Sequence, residues 1–237
     1  MIYTVRERKL GFLLLGSYGL GKTFLSKALE KECSDSNYKF ISISNPRLTS
    51  LELVKEITYQ LGTVSVDQSW TKVDYLHKIK ETLEKNYQEG FHTVIIIDEM
   101  QSIESNEVLE EIRLLFNLQK EVIFFTLILL AQPSFKENLE KFPHFKQRIP
   151  IRYELSPLDE GETKKYIEFR LKKAGAAKEI FSSKACKQIY ALSKGVPRLI
   201  NNICDLALLA GYLDSLEVIK EDTILQIAQD LGETPND

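Results

Sequence analysis

Apolar residues along this chain fall into two alternating rhythms. Short strand-like runs fall at 12–15, 40–44, 94–97, 123–130 and 151–155, and nearly all of them are poor in polar side chains. Strands that read this way are covered on both faces. Between them, at 22–34, 49–61, 70–88 and 106–119, apolar positions recur at helical spacing and predict amphipathic helices. The alternation implies α/β architecture, a mostly parallel sheet wrapped by helices. Beyond Leu155 the rhythm changes, because Ser156-Pro157-Leu158 breaks the chain and the strand pattern stops. Helices are expected at 159–173, 182–193, 197–213 and 220–231, split by Gly175, Gly195-Val196-Pro197 and Asp214-Ser215. Ser182-Ser183 and Asp222 read as helix starts. The expected organisation is an α/β core over 1–155, a small all-helical lid domain over 156–231 and a frayed polar tail at 232–237.

Composition changes this picture little. A chain of 237 residues is long enough to bury roughly 70% of its unfolded surface. Its 43% apolar and 27% charged content is that of an ordinary globular protein. The net charge of −3 argues against a wholesale polyanion-binding surface and leaves room only for a local basic patch. The run at 122–131 holds about ten residues against the ~20 needed to cross a bilayer, so it reads as a buried strand. No signal peptide or membrane span is expected. Cys33, Cys186 and Cys204 have neither paired nor metal-ligand spacing, and His77, His92 and His144 stand apart. The odd cysteine count fits a reducing compartment, hence a cytoplasmic location.

One octet carries specific chemistry. Gly16-Ser17-Tyr18-Gly19-Leu20-Gly21-Lys22-Thr23 fits the phosphate-loop pattern and lies between an expected strand and an expected helix. Glycines let successive backbone N–H groups point at phosphate oxygens, and the following helix adds its positive end. Lys22 is expected on the outer phosphates of ATP and Thr23 on Mg²⁺. A glycine turn joining strand to helix is the plain alternative.

A second element ends another strand: Thr93-Val94-Ile95-Ile96-Ile97-Asp98-Glu99. Asp98 can hold the water shell of Mg²⁺, and Glu99 is then free to polarise an attacking water. A pure nucleotide switch would not need the second acid, so the pair favours an ATPase. Gln132, in Leu129-Leu130-Ala131-Gln132-Pro133, stands at a strand tip where its amide could meet the γ-phosphate or simply cap the strand. Arg148 precedes the last strand, where an arginine could cross a subunit interface and neutralise charge on the phosphoryl group. A solvated arginine beside Lys141 and Lys146 is the alternative, and Arg152 is a weaker candidate for the same task. Arg198, which begins a helix after Gly195-Val196-Pro197, could report nucleotide state from the lid.

Taken together, these residues resemble an AAA+ P-loop ATPase of the ExeA type, the general secretion pathway protein A family. The resemblance runs from about Tyr3 to Leu231. It rests on Glu7-Arg8-Lys9-Leu10-Gly11-Phe12, Asn45-Pro46, Leu109-Glu110-Glu111-Ile112-Arg113-Leu114-Leu115-Phe116-Asn117-Leu118 and Gln132-Pro133. Most specific are Gln147-Arg148-Ile149-Pro150-Ile151-Arg152-Tyr153-Glu154-Leu155-Ser156-Pro157-Leu158 and Gly195-Val196-Pro197-Arg198-Leu199-Ile200-Asn201. It implies Lys22 and Thr23 as phosphate and Mg²⁺ contacts, Asp98 and Glu99 as the Walker B pair, Gln132 and Arg198 as first and second sensors, and Arg148 as the arginine finger. It also implies self-association into a ring or filament and a protein partner that supplies any link to the inner membrane. Relatives usually carry an aromatic and proline-rich segment before the first strand, so the adenine pocket is expected to be incomplete or rebuilt here. Ala131 stands where glycine is common. Two other functions remain open: a DNA-associated regulator similar to transposition target-selection ATPases, with Lys141, Lys146, Arg148 and Arg152 as its basic cluster, and a nucleotide-binding adaptor with little turnover.

Overall fold

The computed structural model describes residues 1–34, 37–62, 69–119 and 122–230. The expected polar tail at 232–237 lies outside the described residues. The chain divides into two units, Met1–Ser17 with Lys22–Leu155, and Tyr18–Gly21 with Ser156–Asp237.

The first unit contains α1 (Ile2–Arg6), β1 (Gly11–Leu15), α2 (Lys22–Glu32), β2 (Tyr38–Ile43), α3 (Ser50–Gln60), α4 (Lys72–Gln88), β3 (His92–Ile97), α5 (Asn106–Leu115), β4 (Phe125–Ala131), α6 (Phe135–Lys141), α7 (Pro143–Gln147) and β5 (Ile151–Glu154). Its five strands form one sheet in the order β2-β3-β4-β1-β5, and every neighbouring pair is parallel. Strand periodicity sorts the apolar residues onto two faces. Leu13, Leu15, Ile95, Ile97, Leu127 and Leu129 join the core under α3, α4 and α5. Phe12, Leu14, Val94, Ile96, Ile128 and Leu130 join the core on the opposite face, with Val5 of α1 and Leu29 of α2. β1, β3 and β4 are buried along their whole length, as their unbroken apolar runs require.

Local chemistry sets the helix ends. The Thr49 backbone N–H donates to Glu52 Oε2 at 2.8 Å and the Glu52 N–H returns to Thr49 Oγ1 at 3.3 Å, closing a capping box on α3. Thr71 donates from both N–H and hydroxyl to Asp74 at the start of α4. The helix expected to reach 119 stops earlier: α5 ends at Leu115 and a 3₁₀ turn runs Phe116–Leu118. The cause is Gln119, whose Oε1 accepts from the N–H groups of Phe124 and Phe125 at 3.1 and 3.2 Å, and whose Nε2 donates to Phe125 O at 3.1 Å. A side chain thus occupies the backbone groups that open β4, which starts at Phe125 rather than 123.

The second unit is helical: α8 (Glu160–Lys173), α9 (Ser183–Ser193), α10 (Pro197–Leu213) and α11 (Glu221–Asp230). Asp159 caps α8 by accepting from Glu162 N–H at 2.7 Å, and Ser182 caps α9 by accepting from Ala185 N–H at 3.2 Å. The helices enclose their own core around Ile167, Ile189, Ile200, Ile203 and Ile224. One parallel bridge, Phe181 with Ile219, departs from the expectation that extended pairing ends with the core. No helix among the described residues is long and apolar enough to cross a membrane.

Two features of this scaffold yield measurable outcomes. Gly195 has φ +75°, and a Cβ built there would lie 1.8 Å from Leu158 O. Gly195→Ala should therefore force the backbone apart and destabilise the helical unit by at least about 2 kcal/mol, read as a lowered urea midpoint. His92 is fully buried at the start of β3 with Nε2 2.9 Å from Thr126 Oγ1, and the Thr126 hydroxyl is already committed to Lys9 O at 2.8 Å. Burial, helped by the nearby Arg8 charge, lowers its pKa from 6.5 to about 4. The unfolded chain then binds the extra proton between those values, so stability is full above pH 6.5 and falls as pH drops toward 4. The loss should approach roughly 3 kcal/mol by pH 4. His92→Asn, which does not titrate, should flatten that part of the urea-midpoint curve relative to the parent.

Candidate functional site

Parallel pairing brings the carboxyl ends of β1, β3 and β4 to one edge of the sheet, where ligands of open α/β sheets bind. Gly16, immediately after β1, donates its N–H to Ala131 O at the end of β4 at 3.1 Å. Asp98, immediately after β3, donates its N–H to Ile43 O at the end of β2 at 2.9 Å. The phosphate-loop start and the first of the two strand-end acids are therefore fixed by backbone bonds between neighbouring strands.

Lys22 opens α2 and is 6% exposed. Its ammonium donates to Gly16 O at 2.7 Å and to Ser17 O at 3.3 Å, so the lysine folds back across the first turn of its own loop. Burial pushes its pKa below the ordinary lysine range, while the Glu99 and Asp98 carboxylates pull it back up. Thr23 Oγ1 donates to Asp98 Oδ2 at 2.5 Å across 75 residues of sequence. Asp98 is 5% exposed, and its other oxygen accepts the Glu99 N–H at 2.7 Å. A hydroxyl and a carboxylate are thereby gathered on one spot beside a buried cation. Hard oxygen donors of this kind suit Mg²⁺, which takes few protein ligands and keeps water or phosphate oxygens for the rest. The cation and loop amides suit a polyphosphate. The residues present fit both groups.

Glu99 adopts φ 54°, ψ 37°, a left-handed conformation uncommon for any residue but glycine. Its carbonyl accepts from the Ser102 N–H at 2.8 Å and from the Ser102 hydroxyl at 2.7 Å. Its carboxylate accepts from the Gln101 side-chain amide, whose oxygen in turn accepts the Gln132 N–H at 2.9 Å. The structure thus places Gln132 in reach of the Asp98-Glu99 turn through an intermediary that the sequence reading did not single out. The signal was present in Asp98-Glu99-Met100-Gln101, since a 3₁₀ turn Met100–Ser102 directs the residue two places after the acid back towards it.

Arg148 caps the end of α7 and is exposed, its guanidinium donating to Asn117 Oδ1 at 3.0 Å. Arg152 lies exposed on β5. Neither touches Lys22, Thr23, Asp98 or Glu99. In the expected basic cluster, Lys146 is paired with Glu140.

The tip of the phosphate loop, Tyr18–Gly21, groups with the helical unit. Gly19 and Gly21 have φ +82° and +91°, which the tight turn requires. Arg198, at the start of α10, donates its N–H to Gly19 O at 3.2 Å. Its guanidinium lies over the Tyr18 ring, 4.6 Å from the centroid, and hydrogen-bonds the Tyr18 hydroxyl. A Cβ on Gly19 would approach Val196 Cγ1 to 2.9 Å, so glycine is needed there for space as well as for φ. Elsewhere, burial raises the thiol pKa of Cys33 and Cys186 and pushes that of Cys204 up to about 12. None is a ready nucleophile.

A family profile described as "AAA domain" matches residues 5–139. The general secretion pathway protein A of Aeromonas hydrophila is 35% identical over 206 residues, which are 85% of this chain and 37% of that protein. The chain thus spans little more than a third of the length of that relative. Among solved structures, the Aeropyrum pernix ORC2 protein, in its ADPNP–ADP complexes, superposes with a TM-score of 0.78 at 18% identity, covering 97% of this chain and 65% of that one. The ORC1 protein of the same organism, in complex with DNA, gives 0.70 at 16% identity, covering 94% and 59%. The Thermotoga maritima RuvB Holliday junction branch migration motor gives 0.65 at 18% identity, covering 97% and 65%. These structural likenesses bear out the fold, a parallel sheet wrapped by helices. With more than half its length inside the family's boundaries, the chain belongs to the AAA domain family.

Proposed function

We propose that the chain is a Mg²⁺-dependent ATPase that acts as an oligomeric switch or motor. The single observation that carries this reading is the fastening of Thr23 to Asp98 at 2.5 Å, with Glu99 as the next residue. A phosphate loop alone accounts for binding. A second, separately held carboxylate beside the metal position accounts for hydrolysis.

In this reading Lys22 exchanges its loop carbonyls for the outer phosphates, and the loop amides take the remaining oxygens. Thr23 and Asp98 hold Mg²⁺, which when bound neutralises phosphate charge. Glu99 accepts a proton from a water whose oxygen forms the new bond to the γ-phosphorus. The bond from γ-phosphorus to the bridging oxygen breaks, and ADP leaves with the electron pair. Gln132 orients the water or the γ-phosphate from the tip of β4. Arg198, seated on Tyr18 of the loop tip, is suited to sensing the phosphate that the loop holds. Arg148, exposed and with its guanidinium hydrogen-bonded to Asn117, is suited to reaching the site of a second copy. Fingers of this kind contribute ~10³–10⁵ in rate where they occur.

A role for the chain in secretion, through a membrane-linked partner, is supported by the similarity to general secretion pathway protein A. DNA association is the second reading, supported by the fold likeness to a protein solved in complex with DNA. The pairing of Lys146 with Glu140 weakens it, because it removes a positive charge from the cluster that would meet the phosphates. Retention on duplex DNA with a non-hydrolysable ATP analogue, at low salt and lost at high salt, would favour it, and no retention at low salt would exclude it.

Three outcomes test the main proposal. Glu99→Gln should bind ATP with parental affinity, hydrolyse it at least about 100-fold more slowly and stabilise assemblies in light scattering. Turnover at the parental rate would remove Glu99 from the role of base. Lys22→Ala should abolish ATP uptake in calorimetry with Mg²⁺ present. Phosphate release per protein should rise with protein concentration in the parent and lose that dependence in Arg148→Ala, because a finger supplied in trans requires a neighbour.

A further inference from the structure

The proposed chemistry assigns no task to Gln101, yet its amide is committed at both ends. Its Nε2 donates to Glu99 Oε2 and its Oε1 accepts the Gln132 N–H at 2.9 Å. The orientation of that amide follows from chemistry. A backbone N–H only donates, so the group facing Gln132 has to be the oxygen, and the nitrogen is left for the carboxylate. The Gln132 N–H is itself fixed at the end of β4, one residue after Ala131, whose carbonyl accepts the Gly16 N–H at 3.1 Å. One side chain therefore ties the acid after β3 to the tip of β4, and β4 is tied in turn to the start of the phosphate loop.

Glu99 needs such a tie. Its backbone is in the left-handed region and is clamped by Asp98 and Ser102. Those bonds fix its Cα and leave the carboxylate free to swing about the side-chain torsions. Among the described residues, Gln101 is the side chain recorded as hydrogen-bonding that carboxylate.

We propose that Gln101 is a positioning residue for hydrolysis: it holds the Glu99 carboxylate in its working orientation and couples it to the strand tip that bears Gln132. The inference rests on the reading of Glu99 as the base. An amide N–H donates a hydrogen bond without transferring a proton, so the carboxylate keeps lone pairs with which to accept one from water. Any shift of the β4 tip is passed directly to the base through one hydrogen bond on each side, so the positions of Gln132 and Glu99 move together.

The test compares Gln101→Ala, Gln101→Glu and Glu99→Gln in the full chain, each with a thermal melt. Gln101→Ala should lower kcat by about 10–100-fold, with KM for ATP within about 3-fold of the parent, as expected when a support and not a phosphate contact is lost. Gln101→Glu keeps the shape and can still accept from Gln132, but it sets two carboxyls against each other. The pair then shares a proton, and the acidic limb of the kcat–pH profile should move up by about one pH unit or more. Should Gln101→Ala fail to fold, the Gln101→Glu profile decides alone. Parental turnover by Glu99→Gln would bring down the base assignment and this inference with it. A slow Glu99→Gln beside a Gln101→Glu enzyme with an unshifted acidic limb would overturn the role of Gln101 and leave the base assignment standing.

Discussion

The geometry of the site depends on parallel strand pairing. β1, β3 and β4 run in one direction and are buried on both faces, so their register is set by two cores at once. A slip of one residue would turn every side chain of a strand to the wrong face. That constraint is stronger than any single polar contact, and the polar contacts inherit it. Gly16, Asp98 and Gln132 each follow the last residue of a strand, and their separations are set by the packing of Leu15, Ile97 and Ala131, all of them buried.

Charge is handled economically on this foundation. A buried ammonium ordinarily costs several kcal/mol unless it is compensated. Lys22 meets that requirement with two carbonyls of its own loop and with the carboxylates of Asp98 and Glu99 nearby. Asp98 is satisfied by one hydroxyl and one amide. Each partner is a group that a phosphate or a divalent cation could replace with an equal or stronger contact, so exchange need not pass through an uncompensated charge.

Much of this was legible in the residues. The runs that form β1, β3 and β4 were readable because burial on both faces leaves an unambiguous signature, and the phosphate loop because its glycines perform a task few residues can. What escaped detection was set by single side chains acting on the backbone. Gln119 borrows the amides that open β4, and it shortens both the helix before it and the strand after it. α1 is a five-residue helix with Thr4 and Val5 buried, too short for periodicity to reveal. α6 and α7 are broken by Phe142 and Pro143, which hides any helical rhythm between β4 and β5. Gln101 was missed for a different reason. A residue that acts through a neighbour has no chemistry of its own to advertise, and only the turn that carries it gives it meaning.

The left-handed backbone of Glu99 sets stability and chemistry against each other. A conformation of this kind costs of order 1–3 kcal/mol, and glycine would relieve it without moving another atom. The relief would delete the carboxylate. Random substitution that improves folding at this turn therefore erodes whatever the carboxylate does, and libraries screened for heat resistance alone should drift towards proteins that stand firm and do nothing.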